Sequence, residues 1–215
     1  MAKRKTKRRA VVVAGNRTPF TKAFGPFMKM DTIALGDAAV AGLLRKTEIA
    51  YTELDAIVWG GVILPGLAPN VAREIALDLK LPASVEGMTV TRACASGLQA
   101  ITTAVSAIER GDADVVIVGG SDSTSNAEIK LPQKLVHAVA PVAMSKKSTW
   151  KDYVGVLSQL TPLSEIVPRA PKIAERTTGQ VMGEAAEEMA TRNGITREAQ
   201  DEFAVRSHHR AAEAI

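Results

Sequence analysis

Cysteine and aromatic residues are both scarce in this 215-residue chain, and each shortage limits what the protein can be. The single cysteine, Cys94, excludes an intramolecular disulfide framework and suggests a reducing compartment. Aromatic residues make up only 4% of the chain, so its core must be built mainly from Ala, Val, Ile and Leu. That composition suits a parallel sheet covered by helices. No apolar run approaches the roughly 20 residues that span a bilayer.

Several catalytic motifs are missing as well. The sequence contains no G-x-x-x-x-G-K-[ST], no G-x-G-x-x-G and no G-x-S-x-G, so it predicts neither a phosphate-cradling loop nor a serine hydrolase. His208 and His209 are neighbours on a predicted helix and point in different directions, and His137 is far from both in sequence. We therefore predict no metal site.

The basic charge of the chain is concentrated at one end. Residues 1–9 carry six of the 27 Lys and Arg residues and no acid, which leaves 21 basic against 23 acidic residues in the remainder. We expect residues 1–9 to form a solvated, disordered tail. No aromatic residues alternate with the basic ones, so we predict no nucleic-acid binding. Contact of this tail with an anionic membrane surface is left open, with no other support in the sequence.

Apolar patterning predicts alternating strands and helices up to residue 120, which indicates an α/β layer with largely parallel pairing. Residues 121–180 carry Ser, Pro and Lys clusters without sustained periodicity, and we interpret them as a long excursion from the sheet. The predicted strands are 10–15, 56–63, a segment just before Cys94, and 113–120. The predicted helices are 31–46 with Asp31 or Thr32 as cap, 70–79 with Asn70 as cap, the segment from Cys94 to Gly111, 182–192, and one that Thr196 opens.

Cys94 lies between a β-branched run and an amphipathic helix pattern, at a predicted strand-to-helix junction. Unpaired N–H groups and the helix dipole favour an anion there, so the thiol can act as a nucleophile. A buried, inert cysteine is the alternative. Ser96 is a candidate cap of the helix, and its predicted inner face is the set Leu98, Ile101, Val105 and Ile108.

Five segments together resemble the thiolases, the 3-ketoacyl-CoA and acetoacetyl-CoA acyltransferases. Residues 89–100, T-V-T-R-A-C-A-S-G-L-Q-A, resemble the segment that carries the thiolase nucleophile. Residues 16–20, N-R-T-P-F, and 70–77, N-V-A-R-E-I-A-L, match the family's N-terminal segment and the helix before the nucleophile strand. Residues 119–125 and 179–187 resemble the family's G-G-x-E-S-M-S turn and its M-G-x-x-A-E segment, with Asp122 and Thr124 departing from the first pattern.

The resemblance implies a thiolase-like layered α/β half, with a mixed, largely parallel sheet flanked by helices, plus an inserted loop domain. Residues 10–120 correspond to the first of two similar thiolase halves, and residues 121–215 to the loop region and the helices that follow it. The second half has no counterpart in the chain. The family's G-H-P histidine, its C-x-G cysteine and its N-E-A-x segment therefore match no residue here.

The resemblance also implies the chemistry. Cys94 is expected to be the nucleophile, with its backbone N–H as one oxyanion-hole donor. Gly97 is expected to bind substrate by allowing close backbone approach beside the nucleophile, with plain packing of the helix turn as the alternative. Val181 and Met182 are expected to line the acyl and pantetheine pocket, with core packing as the alternative. Coenzyme A is expected as a substrate, with no permanently bound cofactor. Because the family's histidine and second cysteine are absent, we expect little turnover from the 215-residue chain alone.

Thr91 and the amino-acid sequence of residues 168–215 look most like those of the thiolase β-subunits of fatty-acid-oxidation complexes. This likeness implies acyl-CoA and CoA as ligands, a homodimer or higher homo-oligomer, and a hydratase/dehydrogenase α-subunit as partner. It also implies a bacterial, cytoplasmic setting rather than a mitochondrial one. Two other readings stay open: a ketoacyl-synthase-like condensing enzyme, and a non-catalytic thiolase-like half that serves as a subunit or scaffold.

Overall fold

The structure is a computed structural model that describes residues 8–129, 131–160 and 174–215. The chain divides into two compact units, Met1–Glu128 and Ile129–Ile215. Most of the predicted tail, residues 1–7, lies outside the described residues, as does the 161–173 part of the predicted excursion. In the described chain no helix combines the length and apolar character needed to cross a membrane.

The first unit is built around a three-stranded parallel sheet. Strands β1 (Ala56–Gly60), β2 (Glu86–Val90) and β3 (Val116–Gly120) are ordered β2-β1-β3, so β1 is central. Residue by residue, β1 pairs with both neighbours in one register, with Ile57 opposite Gly87 on one side and Ile117 on the other. All three carboxyl ends therefore reach the same edge of the sheet, which confirms the predicted α/β class.

Three helices pack on the strands of the first unit: α1 (Thr32–Thr47), α2 (Val71–Asp78) and α3 (Ser96–Arg110). Contact between α1 and α2 is close at Gly36, where an added Cβ would lie 2.6 Å from the Ile75 side chain. The helices and β1 enclose an apolar core whose largest fully buried side chains are Ile57, Ile75, Val40 and Val71. This core is aliphatic apart from Trp59, as the composition predicts.

The helix ends follow their local sequence signals. The Asp31 carboxylate accepts a 2.8 Å hydrogen bond from the Ala34 N–H and caps α1. Asn70 accepts from the Arg73 N–H and caps α2. Gly111 ends α3 in the left-handed region at φ 86°, where glycine has no Cβ to clash. The predicted bounds of these three helices are confirmed to within one or two residues.

The predicted first strand, residues 10–15, is wrong. These residues have no regular secondary structure, and Val11, Val12 and Val13 are exposed. Residues 10–14 line one side of an apolar cavity that β3 also borders, but in the described chain they do not pair with the outer edge of β3. A β-branched run supplies strand propensity, but a strand forms only where a neighbour completes its hydrogen bonds.

The predicted inner face of α3 is confirmed only in part, since Val105 and Ile108 are half-buried. The buried residues of α3 are Ser96, Ala100 and Ala104, whereas Leu98 and Ile101 are 64% and 40% exposed. Small side chains at the buried positions allow this helix to lie close against the sheet, and the larger Ile101, Val105 and Ile108 border the apolar cavity beside β3. The helical period was read correctly, but packing distance and not hydrophobicity decided which face is inside.

The second unit contains four helices among its described residues. Its last two confirm the sequence prediction, since α6 covers Met182–Arg192 and Thr196 caps α7 (Arg197–Glu213) through the Ala199 N–H. The excursion predicted for residues 121–180 is more ordered than expected, because α4 (Gln133–Met144) and α5 (Trp150–Gln159) lie within it and pack together. Pro141 lies inside α4 and obscures its helical pattern in the sequence.

Candidate active site

Cys94 lies in a tight turn that joins β2 to α3. The carbonyl of Arg92 accepts a 3.0 Å hydrogen bond from the Ala95 N–H, and the carbonyl of Ala93 accepts one of 3.1 Å from the Ser96 N–H. Ala93 has φ 46°, in the left-handed region that residues other than glycine rarely adopt. The reversal leaves the Cys94 side chain exposed, immediately before the first turn of α3. The prediction of a strand-to-helix junction is confirmed, and burial of Cys94 is excluded within the described chain, whereas its role as a nucleophile stays a prediction.

The thiol opens into a cavity of about 580 Å³ at the carboxyl edge of the sheet. One wall is the Cys94 turn with Ser96 and Gly97, and another is the end of β3 with residues 119–125. Residues 14–23, which include the N-R-T-P-F segment, line a further side. Three of the sequence segments that carry the thiolase resemblance therefore meet at one cavity.

Hydrogen bonds hold the wall after β3 in place. Asp122 accepts two backbone hydrogen bonds through Oδ1, of 2.8 Å from Val62 and 2.6 Å from Ile63. The Trp59 indole N–H donates to Ser121 Oγ at 2.8 Å, and Ser121 donates in turn to a backbone carbonyl at the start of α1. The loop after β1 and the loop after β3 are thus fixed to each other and to α1.

The N-R-T-P-F segment is anchored to α1 as well. The Asn16 amide donates to the Ala39 carbonyl at 2.9 Å, and Lys46 Nζ donates to the Gly15 carbonyl at 3.1 Å. The Arg17 guanidinium lies 5.0 Å from the centroid of the Phe20 ring, within cation–π range. Phe20 itself is exposed, so this side of the cavity carries an apolar ring and a positive charge next to solvent.

Gly60, at the end of β1, is the glycine that permits close approach of β1 to the start of α3, beside the Cys94 turn. A Cβ added there would lie 2.5 Å from the carbonyl carbon and oxygen of Ser96 and 2.8 Å from the Gly97 nitrogen. A Cβ at Gly97 would meet nothing within 4 Å in the described chain, so the expected close approach at Gly97 is not made by that part of the chain and stays a prediction. The sequence near Cys94 gives no signal for Gly60, because the close contact comes from a neighbouring strand that is distant along the chain.

Residues 10–215 match the protein family described as the thiolase N-terminal domain. The chain belongs to the thiolase family. It is 41% identical over 206 residues to the 3-ketoacyl-CoA thiolase of Aliivibrio fischeri strain ATCC 700601 / ES114, an alignment that covers 96% of this chain and 46% of that protein. It is 38% identical to the 3-ketoacyl-CoA thiolase of Aeromonas salmonicida strain A449, over 96% of this chain and 47% of that protein. This thiolase chain therefore spans about half the length of the curated relatives it matches.

Solved structures agree on the fold. The crystal structure of the Bacillus anthracis acetyl-CoA acetyltransferase superposes with a TM-score of 0.78 at 27% identity, over 97% of this chain and 48% of that one. The Acat5 thiolase from Ascaris suum, solved in complex with coenzyme A, superposes with a TM-score of 0.73 at 22% identity, over 93% of this chain and 47% of that one. The thiolase resemblance and the thiolase α/β fold predicted from the sequence are confirmed.

The other predicted site residues of this thiolase chain lie in the second unit. Val181 precedes α6, and its N–H donates to the Glu184 carboxylate at 2.9 Å. Met182 is the first residue of α6 and is exposed, which excludes core packing of its side chain within the described chain. Contact of either residue with a substrate at Cys94 stays a prediction.

The charges around the thiolase cavity are unevenly distributed. Among the lining residues that the structure describes, the charged ones are Arg17, Lys22 and Asp122, and none is a histidine. Asp122 is already engaged with two backbone N–H groups. In the described first unit the cavity therefore presents a thiol and cations, without a side chain suited to accept its proton. In the described chain no group of three or more His, Cys, Asp and Glu residues is placed to hold a metal ion.

Proposed function

We propose that this chain supplies the acyl-accepting half of a thiolase active site, with Cys94 as the nucleophile. The observation that carries this proposal is the exposed Cys94 thiol, which opens into a cavity formed by three thiolase-like segments. Ala95 occupies the N-cap position of α3 and has no side-chain acceptor to satisfy the first-turn N–H groups. Such groups favour an anion close to them. They support both a Cys94 thiolate and the oxyanion formed when a carbonyl is attacked.

The proposed reaction is thiolysis of a 3-ketoacyl-CoA. The Cys94 thiolate attacks the 3-keto carbon, and a Cys94 sulfur–carbon bond forms as the C2–C3 bond breaks. The electron pair of that bond leaves with the acetyl-CoA portion as an enolate, which takes up a proton. The thiol of free coenzyme A then attacks the acyl-cysteine, releases a shortened acyl-CoA and returns the thiolate. The reverse sequence is the condensation of two acyl-CoA molecules.

A thiol fits both steps because the first step leaves the acyl group on Cys94 as a thioester, and the second step exchanges that thioester for another at nearly equal free energy. The backbone N–H of Cys94 is the proposed oxyanion donor from this chain, and one such donor is worth about 3 kcal/mol in the transition state. The side chains that accept and return protons are proposed to come from sequence that matches the family's G-H-P and C-x-G motifs. This chain contains neither motif.

The acyl-transfer half-reaction gives a direct test. The 215-residue chain is incubated with acetyl-CoA or acetoacetyl-CoA and analysed by intact mass and peptide mapping. We expect one acyl group per chain, located on Cys94, and none in Cys94→Ser. Because Cys94 is the only cysteine, no second thiol competes for the label. An adduct that persists in Cys94→Ser would refute the assignment of the nucleophile.

Multiple turnover separates the chain's part from that of a complete enzyme. We expect little cleavage of acetoacetyl-CoA by this chain alone, because helix-terminus stabilisation of up to about 2 kcal/mol does not replace a paired base. Robust, Cys94-dependent turnover would overturn that expectation. The coding sequence downstream of Ile215 is a complementary observation: an in-frame G-H-P and C-x-G would supply the missing groups.

The finer features of the family likeness are proposals too. We propose coenzyme A and acyl-CoA as substrates, no permanently bound cofactor, and Val181 and Met182 as contacts of the acyl and pantetheine end. We further propose assembly into a homo-oligomer in a bacterial cytoplasm, with a hydratase/dehydrogenase α-subunit as partner. Isothermal titration with coenzyme A, and size-exclusion chromatography with and without such a subunit, test the ligand and the assembly separately. A heat signal unchanged by Met182→Ala would remove that residue from the proposed pocket.

A further inference from the structure

We propose that Ser96 is a positioning residue for Cys94, because its hydroxyl clamps the turn that holds the nucleophile at the start of α3. The proposal deepens the proposed function and rests on the role given there to Cys94. It concerns the orientation of the thiol and leaves the chemistry of acyl transfer as described.

The clamp consists of two short hydrogen bonds made by one buried hydroxyl. Ser96 Oγ accepts from the Arg92 N–H at 2.8 Å and donates to the Ala93 carbonyl at 2.7 Å. Ser96 is 4% exposed. The hydroxyl thus joins the start of the turn to the first residue of the helix, and Cys94 lies on the segment between the two anchor points.

The turn needs such a clamp because Ala93 is held at φ 46°. In this left-handed conformation the Cβ of a residue other than glycine crowds its own backbone, so the surrounding structure must hold it in place. The Ser96 hydroxyl binds the carbonyl of Ala93 itself, and the Ser96 N–H binds the same oxygen. Both bonds stabilise the conformation that turns Cys94 toward the cavity.

The first turn of α3, which carries Ser96, packs closely against β1. The backbone of Ser96 lies against Gly60 so closely that an added Cβ at Gly60 would be 2.5 Å from it. The first turn of α3 therefore has no room to move toward β1. Because the Ser96 hydroxyl binds the turn, the position of the first turn of α3 against the sheet determines the position of the Cys94 turn and of its thiol.

Ser96 has no competing role as a helix cap. Ala95 occupies the N-cap position, and Ser96 is the first helical residue, so the expectation that Ser96 caps α3 is wrong. Packing alone does not require the hydroxyl either, since alanine fills nearly the same volume. Ser96→Ala therefore removes the two bonds while it keeps the backbone and leaves the Arg92 N–H without this acceptor.

The test is the pH dependence of Cys94 alkylation by iodoacetamide in the 215-residue chain. We compare the unaltered chain with Ser96→Ala, with Ser96→Thr, which keeps the hydroxyl, and with Ser106→Ala as an exposed control on the same helix. The charged groups near the thiol are Arg92 in the turn and Arg17, Lys22 and Asp122 around the cavity, and every variant keeps them.

We expect the midpoint of the alkylation profile to rise by roughly 0.5–1 pH unit in Ser96→Ala, so that alkylation near pH 7 slows about 3- to 10-fold. In Ser96→Thr the midpoint should return most of the way to that of the unaltered chain, and Ser106→Ala should show no shift. A purely structural role would lower the melting temperature without moving the midpoint. A Ser96→Ala profile that overlays the unaltered one refutes the clamp.

A second variant covers the case in which Ser96→Ala does not fold. Ala93→Gly with Ser96→Ala lets glycine adopt the left-handed conformation without the hydroxyl's help, so folding should recover while the thiol stays unclamped. We expect its profile to remain shifted, and an unshifted profile refutes the clamp. Acyl transfer from acetyl-CoA is measured in parallel. If the unaltered chain takes up no acyl group while Ser96→Ala still shifts the profile, the proposed function fails and the clamp stands.

Discussion

Asp37 offers the sharpest test of the packing between α1 and α2. Burial raises the pKa of Asp37 from 3.8 to about 7, with further increases from the charge of Asp78, from a hydrogen bond to it, and from the charge of Asp31. Its Oδ1 is buried and has no hydrogen-bond partner in the described part of the chain. Asp78 is the last residue of α2, so the two carboxyl groups meet where the helices pack. Ionised Asp37 thus places a second negative charge beside Asp78.

The perturbation is Asp37→Asn, which keeps the shape and removes the charge. A carboxyl group whose pKa is raised by folding contributes to the stability of the folded state. That contribution is fully present below the pKa of the unfolded state, near 3.8, and is lost as the pH rises to about 7. A shift of about three units corresponds to ~4 kcal/mol for a fully buried group. Asp37 is only half-buried, so we discount this to about 1–2 kcal/mol for solvent screening.

The assay is urea unfolding followed by tryptophan fluorescence, to which Trp59, 3% exposed and in the core, and the exposed Trp150 both contribute. We expect the free energy of unfolding of Asp37→Asn to equal that of the unaltered chain near pH 4. The difference should grow in favour of Asp37→Asn between pH 4 and 7 and remain at about 1–2 kcal/mol above pH 7. Glu202→Gln, which removes one exposed acidic charge on α7, controls for net charge. A stability difference that does not change with pH, or an Asp37→Asn chain that is less stable at pH 8, would refute the reasoning.

Four further substitutions test the site and its support. Gly60→Ala forces a Cβ into the Ser96 backbone and should destabilise by about 1–3 kcal/mol in urea unfolding, with slower Cys94 alkylation. Gly97→Ala is its matched control, because the new Cβ meets open space; it should be neutral or stabilise by up to about 1 kcal/mol, and a large loss would contradict the packing described. Asp122→Ala removes the acceptor of two backbone N–H groups and should cost about 1–3 kcal/mol in thermal unfolding; an unchanged melting temperature would show that those bonds are not needed. Asn70→Ala removes the cap of α2 and should cost about 1 kcal/mol, which the same melts would show, whereas no loss would mean that water replaces the cap.

Local chemistry explains which helices the sequence predicted well. Asp31 and Asn70 cap their helices through hydrogen bonds that span only three residues, and Gly111 ends α3 through its own backbone freedom. The groups that form each of these helix ends lie within a few residues of one another, so a short stretch of sequence is enough to predict them. The helix of residues 182–192 was predicted to the residue for the same reason. The helix α4 was missed because Pro141 interrupts its pattern, and a proline inside a helix is tolerated only when packing supports it.

Distant contacts explain the errors. Residues 10–15 were predicted as a strand, but a strand forms only where its backbone pairs with a neighbour, and no local pattern reports that these residues leave the outer edge of β3 unpaired. The apolar stripe of α3 has the right period, yet Ala100 and Ala104 face inward because the helix lies close to the sheet. Gly97 was predicted from its place near Cys94 in sequence, whereas the close contact that the described chain makes with the start of α3 is at Gly60, on another strand.

The motifs around Cys94 identified the family from sequence alone, and with the scarcity of cysteine they predicted Cys94 as the nucleophile, because side-chain types at fixed spacing carry that information. Only the tertiary structure decided that the thiol opens into a cavity, that three separate segments share that cavity, and that Ser96 clamps the turn and does not cap the helix. These features depend on distances between groups far apart along the chain. Such distances are set by how closely helices and strands pack, which the sequence encodes only through the whole fold.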